Sequence, residues 1–247
     1  MRARARLTSH ASVTLQAGQR LRLARRRRLP PVARSGSLGE NQLADQPRPD
    51  RDNEEPGVST LYDWLFAFLW LAWAAYWWVL ARHSKVTVRR ESLGSRLAHI
   101  VPLLLAATLL SLPRLPQFGL DQRIVPPSPW LLRAGAATTA AGLLWCVWAR
   151  RHIGTNWSGT VTIKQGHELV TSGPYALVRH PIYTGLLLAL LGSALALGQV
   201  RGVLAVLLAA AALWRKLRNE ERWMEQQFGE AYRQYRRRVR ALVPYLL

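Results

Sequence analysis

An almost unbroken apolar run from Ile182 to Leu213 constrains the fold of this chain more than any other feature of its sequence. As one straight helix the run would overshoot the hydrocarbon core of a bilayer, which is about 30 Å thick. It is interrupted only at the polar, glycine-containing segment 198–202. We therefore predict a transmembrane helical hairpin whose arms pack face to face along stripes of small residues. The stripes are Gly185, Ala189, Gly192 and Ala196 on the first arm, and Gly202, Ala205, Ala209 and Ala212 on the second.

Three other apolar segments precede the hairpin and are typical of membrane-spanning helices. The first contains several tryptophans, and its Tyr76-Trp77-Trp78 cluster is typical of a membrane–water interface. Together with the hairpin, these segments predict an all-α, polytopic integral membrane protein with about five transmembrane helices. The three segments are 59–81, 97–112 and 130–148.

The last segment, Arg215 to Arg240, has the pattern of a charged amphipathic helix. Glu221 lies on its apolar stripe, four residues after Leu217 and three before Met224. A carboxylate on an apolar face needs a partner, which is either a nearby arginine or a cationic ligand. The stripe consists of Leu217, Met224, Phe228, Ala231, Tyr235 and Val239.

The first 57 residues have the composition of a tail without a globular core. Residues 1–34 are rich in arginine and lack acidic residues, whereas 40–56 is mainly acidic. The basic part resembles an organelle transit peptide, and an incorrectly assigned start codon would look the same; plain disorder and an arm that binds headgroups or nucleic acid are the alternatives. We expect three regions: a tail (1–57), three transmembrane helices (58–149), and a loop, hairpin and terminal helix (150–247).

Charge beside the apolar segments predicts the orientation of the protein. With five spans, the loops 82–96 and 150–180 and the C-terminal helix share one face, and all three are basic. That face should therefore be cytosolic. A net charge of +20 can also indicate nucleic acid, but the apolar residues form long runs, which favours the lipid bilayer as the partner. We expect no nucleic-acid partner, and nothing in the sequence indicates an oligomeric state.

The cysteine and histidine residues limit the kinds of site that the chain can form. Cys146 is the single cysteine, which excludes an intrachain disulfide and a cysteine-based zinc site. The six histidines are scattered without the spacing of a metalloprotease helix, so we expect no metal site.

The polar loop ends in a stretch that has the features of an anion site. A helix should begin at about Pro181, because proline suits a first helical turn and disfavours helical geometry in the residue before it. Arg179 and His180 would lie at the mouth of this helix, where unpaired N–H groups and the macrodipole favour negative charge. The alternative is an arginine that reaches to lipid headgroups. The hairpin would return the chain to the same side and bring 218–221 near this mouth.

The motifs around the hairpin resemble a known family. In chain order they are Gly173-Pro174-Tyr175, Arg179-His180-Pro181-x-Tyr183, Glu220-Glu221 and Phe228-Gly229-x-x-Tyr232-x-x-Tyr235, followed by Val239 and Pro244. This pattern, over roughly 150–244, is similar to that of the isoprenylcysteine carboxyl methyltransferases, which are related to the membrane phospholipid N-methyltransferases.

The resemblance implies a membrane methyltransferase that uses S-adenosylmethionine in a cytosol-facing pocket, and a lipidic or prenylated methyl acceptor. It implies catalytic roles for Arg179, His180 and Glu220, with Arg179 as the partner of a carboxylate. A carboxylate acceptor would need no general base, whereas a phenol or amine would need His180 or Glu220. The implied cofactor-binding residues are His167, Leu169, Gly173, Pro174, Tyr175, His180, Pro181, Tyr183, Glu220 and Glu221.

Two other functions are compatible with parts of the sequence. The sterol reductases, which use NADPH, have a similar His-Pro-x-Tyr region, but usually an Arg-Asp-Glu arrangement where this chain has Asn219-Glu220-Glu221. A non-catalytic membrane protein could use its basic tail and terminal helix to bind anionic lipid or nucleic acid. The arrangement at 219–221 favours methyl transfer over the reductase, and the order of the motifs favours it over the non-catalytic protein.

Overall fold

The computed structural model of the chain describes residues 56–82, 87–112, 118–157, 162–164 and 169–244. All but the last two residues of the predicted tail lie outside these ranges. The described elements are α1 (Pro56–Ala81), β1 (Thr87–Arg90), α2 (Leu93–Ser111), α3 (Pro129–Ile153), β2 (Thr162–Lys164), α4 (Pro174–Leu177), α5 (Pro181–Leu197), α6 (Val200–Phe228) and α7 (Glu230–Arg238).

The described part of the chain is mostly helical, as predicted. Three helices are long and apolar enough to cross a membrane, at Trp64–Ala81, Leu93–Ser111 and Pro129–Asn156, and Pro181–Leu197 is a shorter apolar helix. The strands β1 and β2 pair antiparallel, with Thr87 opposite Lys164. The all-α prediction missed this small ribbon, which joins the polar connections that follow α1 and α3.

The small-residue stripe on α5 does not pack against the other arm of the hairpin, so this part of the prediction was wrong. It packs instead against α3, where glycines bring the two backbones into contact. A Cβ on Gly142 would lie 2.5 Å from the carbonyl oxygen of Gly185, and one on Gly192 would lie 2.5 Å from the amide nitrogen of Thr139. The small face of α3 is an equally good partner in lipid, because close approach depends on side-chain size and not on which segments are adjacent in sequence.

The second arm, α6, uses its small residues mainly against α2. Ala205 and Ala209 form a buried cluster with Ala106 and Leu109 of α2 and Leu190 of α5. The two arms approach closely at the turn, where a Cβ on Gly202 would lie 3.1 Å from Ala194. The α2–α6 contact also brings a polar residue of α2, Ser95, beside Asn219 near the C-terminal end of α6.

The predicted separate terminal helix, Arg215 to Arg240, is also not observed. The helix α6 runs without a break from the hairpin turn to Phe228, and Gly229 ends it with φ 54°. The short helix α7 follows, and the chain then folds back, so that residues after α7 lie beside the start of α5. Arg179 N donates to Arg240 O at 2.8 Å, and His180 N donates to Ala241 O at 3.0 Å.

Candidate active site

The mouth of α5 has the predicted form. Pro181 is the first residue of the helix and His180 precedes it with non-helical backbone angles, φ −122° and ψ 62°. The amide groups of Arg179 and His180 are occupied by the returning C-terminal segment, and the hydroxyl of Thr184 donates to Leu242 O at 2.6 Å. The C-terminal segment therefore closes one side of the mouth, and the side chains of Arg179 and His180 turn towards α6.

Arg179 and Glu221 form a buried ion pair at this junction. The Nε and Nη2 atoms of Arg179 donate to Glu221 Oε1 at 2.8 and 2.5 Å. Nη1 donates to the carbonyl oxygens of Val239 and Arg236. Arg179 thus holds α6 and the C-terminal segment together, and the arginine alternative for the partner of Glu221 is confirmed. The guanidinium keeps one N–H of Nη2 outside these contacts, since it has five N–H donors.

Glu220 lies on the other side of His180 and has three described partners. The hydroxyl of Tyr183 donates to Glu220 Oε1 at 2.6 Å. His180 Nδ1 lies 3.6 Å from Glu220 Oε2, and Lys216 Nζ lies 3.7 Å from Glu220 Oε1. Because His180 Nε2 is also 3.4 Å from Glu221 Oε1, one imidazole stands between the two carboxylates and stacks on the Tyr183 ring with an interplanar angle of 4°.

The proton affinities of these groups follow from their neighbours. Burial alone would lower the pKa of His180, but hydrogen bonds and charge from Glu220 and Glu221 outweigh it and raise this pKa above the usual value. Burial alone would raise the pKa of Glu221, but His180 and then Arg179 lower it to about 2. Burial acts in the same way on Glu220, and Lys216 and His180 reverse it, so that its pKa is also lowered. The two carboxylates therefore favour the protonated form of the imidazole, and the imidazole favours the ionised form of the carboxylates.

A hollow of about 440 Å³ opens beside the Arg179–Glu221 pair. Its volume lies in the range of small-molecule sites. Most of its polar lining is cationic, and Trp214, Leu217 and Ala241 form its apolar part. The lining residues are Arg179, Trp214, Leu217, Arg218, Glu221, Arg222, Glu225, Arg236, Arg240 and Ala241.

The predicted loop residues lie behind the mouth and not in the hollow. Gly173 has φ 59°, and a Cβ on it would lie 2.6 Å from a ring carbon of His152. Pro174 and Tyr175 are buried in α4, and the backbone carbonyl of Tyr175 accepts a hydrogen bond from Tyr235 Oη at 2.6 Å. Gly173, Pro174 and Tyr175 therefore support the segment that carries Arg179 and His180.

Of the predicted cofactor-binding residues that the structure describes, only Glu221 lines the hollow, and His180, Pro181, Tyr183 and Glu220 lie outside its lining. Leu169 is half-buried and is not among the residues that line it. His167 lies outside the described residues. The structure therefore brings together Arg179, His180, Tyr183, Glu220 and Glu221, which is the central part of the predicted site.

Sequence reasoning missed several residues that contribute charge to this region. Lys216 precedes Glu220 by four residues, which is the spacing of an ion pair on one helix face. The sequence therefore contained a signal for the pairing of Lys216 with Glu220. Arg218 and Arg222 repeat at the same spacing and line the hollow. The approach of Arg236 and Arg240 had no sequence signal, because it depends on the break after α6.

Comparison with known proteins places this site within the matched region. Residues 130–231 match a family model described as phospholipid methyltransferase. The protein-S-isoprenylcysteine O-methyltransferase of Schizosaccharomyces pombe is 36% identical over 97 residues, which are 37% of this chain and 40% of the relative. Isoform B of the corresponding enzyme of Arabidopsis thaliana is 33% identical over 87 residues, 34% of this chain and 43% of the relative.

A bacterial protein with a different name is also similar. The cobalt-zinc-cadmium resistance protein CzcN of Cupriavidus metallidurans is 36% identical over 124 residues, 48% of this chain and 51% of the relative. The chain thus spans about half, or less, of the length of these relatives. The family pattern nevertheless covers α3 to α6 and the start of α7, including the Arg179–Glu221 pair. The predicted resemblance to the isoprenylcysteine carboxyl methyltransferase family is therefore confirmed over the C-terminal part of the chain.

Proposed function

We propose that this chain is an integral membrane methyltransferase that uses S-adenosylmethionine and methylates a carboxylate on a lipidic or prenylated acceptor. In this proposal the chain crosses the membrane five times, with the site and the C-terminus on the cytosolic side. The observation that carries the proposal is the buried Arg179–Glu221 pair at the edge of a cationic hollow of about 440 Å³.

The carboxylate and the guanidinium groups at this edge of the hollow match the charged groups of the cofactor. S-adenosylmethionine supplies an electrophilic methyl group on a sulfonium, beside an ammonium and a carboxylate. The Oε2 atom of Glu221 lies 3.8 Å from Arg236 Nε, which is a longer distance than that between Oε1 and Arg179. Because Oε2 is held less tightly, it is the oxygen of Glu221 that can contact a cationic group of the cofactor. The arginines of the hollow offer forks that suit a carboxylate.

The same arginines suit a carboxylate acceptor better than an amine. Arg218 and Arg222 line the hollow on one face of α6 and would repel a cationic headgroup while attracting an anionic one. An ionised carboxylate is already a nucleophile, so that the work of the protein is alignment and exclusion of water. His180 and Glu220 would be needed as bases only for a phenol or an amine acceptor.

The position of the hollow supports a lipidic acceptor. Trp214 forms part of its lining, is 37% exposed, and lies under the guanidinium of Arg218 with 5.2 Å between Cζ and the ring centroid. Tryptophan favours the level of the lipid headgroups, so that an apolar chain could lie along α6 in the bilayer while its head reaches the arginines. The contact of the C-terminal segment with the start of α5 would cover the site from the aqueous side.

The proposal is tested by binding and transfer with the full chain in detergent or lipid. The wild type should bind S-adenosylhomocysteine by calorimetry and should transfer labelled methyl from S-adenosylmethionine to an N-acetyl prenylcysteine. Glu221→Gln should weaken binding about tenfold or more, because a charge-assisted contact worth roughly 1.5–3 kcal/mol is lost.

Glu230→Gln is the matched control, since this carboxylate is exposed and pairs with Arg233 at 2.7 Å away from the hollow. Its affinity should stay within about twofold of the wild type. Equal losses for the two variants would count against the site. Saturable NADPH binding without S-adenosylhomocysteine binding would replace the proposal with a reductase.

A further inference from the structure

The exposed face of α6 changes from apolar to basic within one helical turn. Val203, Leu207 and Trp214 are exposed on the hairpin part of the helix, and Arg218 and Arg222 are exposed on its next two turns. The spacings of four and seven residues between them are those of a single helix face. Such a face is typical of a helix that leaves the hydrocarbon core of a bilayer and enters the layer of lipid headgroups.

The length of the hairpin arm brings the first of these arginines to the level of the lipid phosphates. The arm from Val200 to Trp214 is about 22 Å long. It is shorter than a hydrocarbon core of about 30 Å, and a bilayer adapts to a short span by thinning, which moves headgroups towards the flanking residues. Arg215 and Arg218 lie about 1.5 and 6 Å beyond Trp214 along the helix axis, within a headgroup layer of about 5–7 Å in each leaflet.

The arginines at this level differ from those of α7 in their partners. Arg215 and Arg218 form no ion pair with a carboxylate of the described residues, whereas Arg233 of α7 pairs with Glu230 at 2.7 Å. The guanidinium of Arg218 lies over the ring of Trp214, with 5.2 Å between Cζ and the ring centroid. This stacking leaves the N–H donors in the guanidinium plane directed past the ring, where an oxyanion can accept from them.

We propose that Arg215 and Arg218, with Trp214 beneath Arg218, form a binding surface for the phosphate of an anionic phospholipid. The two arginines are three residues apart on one face, so that both guanidinium groups can donate to the oxygens of one phosphodiester. They repel the ammonium of a zwitterionic headgroup, and the acyl chains lie along the apolar part of the face. Because Arg218 also lines the hollow, the lipid stands at its edge. The inference rests on the position of α6 in the bilayer, as in the proposed function, and not on methyl transfer.

The test is a titration of the full chain in uncharged detergent with phosphatidylglycerol or with phosphatidylcholine of the same acyl chains, read by native mass spectrometry. The wild type should bind phosphatidylglycerol about tenfold or more tightly than phosphatidylcholine, because each arginine near a lipid headgroup contributes about fivefold. The double variant Arg215→Gln, Arg218→Gln should lose most of this preference. The double variant Arg215→Lys, Arg218→Lys should keep part of it, since the charge is retained and the planar fork is lost.

The double variant Arg237→Gln, Arg238→Gln is the matched control, because it removes the same charge from exposed positions of α7. Its preference should stay within about twofold of the wild type, since charges away from the headgroups are screened. Equal losses for the two pairs, no preference in the wild type, or displacement of the lipid by inorganic phosphate at the same concentration would each overturn the inference. A wild type that prefers phosphatidylglycerol but does not bind S-adenosylhomocysteine would overturn the proposed function and support this surface.

Discussion

The two ends of α6 both bury an arginine-centred ion pair, and they differ in what surrounds it. Near the hairpin turn, Arg201 is 3% exposed, donates from Nε to Gln199 Oε1 at 2.6 Å, and lies 3.3 Å from Asp121 Oδ1. At the other end, Arg179 pairs with Glu221. The two ends are about 30 Å apart, from a rise of 1.5 Å per residue.

The difference shows that a buried ion pair does not by itself mark a functional site. Arg201 also donates to the carbonyl oxygen of Leu112 and ties the α2–α3 connection to the hairpin turn. The Glu221 end adds a second carboxylate, an imidazole between the two, and an adjacent hollow. Clusters of titratable groups with perturbed pKa values beside a hollow are typical of binding sites. An ion pair without such neighbours is typical of a contact that only stabilises the fold.

The largest expected effect compares Arg179→Ala with Arg201→Ala. Each removes the arginine from an ion pair, which should cost about 3–5 kcal/mol of folding stability at the buried Glu221 and less at Asp121, whose side chain is 24% exposed. Only Arg179→Ala should also abolish binding of S-adenosylhomocysteine, because it frees Glu221 and the C-terminal segment together. Thermal unfolding and calorimetry measure the two effects. If Arg201→Ala abolished binding at a temperature where it is folded, the two ends would not differ in function.

A smaller effect is expected for Tyr183→Phe, compared with Tyr235→Phe. Both hydroxyls donate at 2.6 Å, to Glu220 Oε1 and to the carbonyl of Tyr175 respectively. The bond to a carboxylate is worth about 1.5–3 kcal/mol and the bond to a carbonyl about 1 kcal/mol. Tyr183→Phe should weaken cofactor binding about tenfold, and Tyr235→Phe should lower only the unfolding temperature. Similar affinities for the two variants would contradict the role given to Glu220.

The third expected effect is a pH dependence that belongs to the Glu221 end alone. The pKa of His180 is raised above its unfolded value of about 6.5. The stability that protonated His180 contributes is therefore fully present below that value and is lost as pH rises through the folded pKa. A cationic donor competes with this proton, so its affinity should rise with pH by up to about tenfold per unit until His180 is neutral.

The charged groups that face His180 are Glu220 and Glu221, with Lys216 and Arg179 beyond them. Titrating S-adenosylmethionine between about pH 6 and 9 measures the slope. His180→Asn should flatten it, and Asp121→Asn should leave it unchanged. A wild-type slope of zero would exclude competition between the donor and the imidazole proton.

Much of the site could be predicted because its parts are local in sequence. The start of α5 follows from the fixed φ of Pro181 and its effect on the preceding residue. The reversal near 198–202 follows from length and composition, and it brings Glu220 and Glu221 back to the mouth. The resemblance adds the order of the motifs, of which those from Gly173 to Gly229 lie within the residues that match the family model.

The wrong predictions concern which helices pack against each other. The small stripe of α5 could pack on any other small face in lipid, and α3 presents one with Gly135 and Gly142. The break at Gly229 was hidden, because the amphipathic pattern continues on both sides of it and glycine can occur within a helix at a cost of about 1 kcal/mol. That break turns Arg236 and Arg240 back towards Glu221.

The sequence by itself determined the helical segments, their apolar character, and the return of the twin carboxylates to Arg179 and His180, because these depend on periodicity, length and backbone restriction. Only the tertiary structure decided that α3 packs on α5, that the C-terminal segment closes the mouth, and that Ser95 of α2 meets Asn219 of α6 beside Glu220. Such contacts join residues far apart in the chain, and their choice depends on complementary shape and charge across whole helix faces, which no local pattern records.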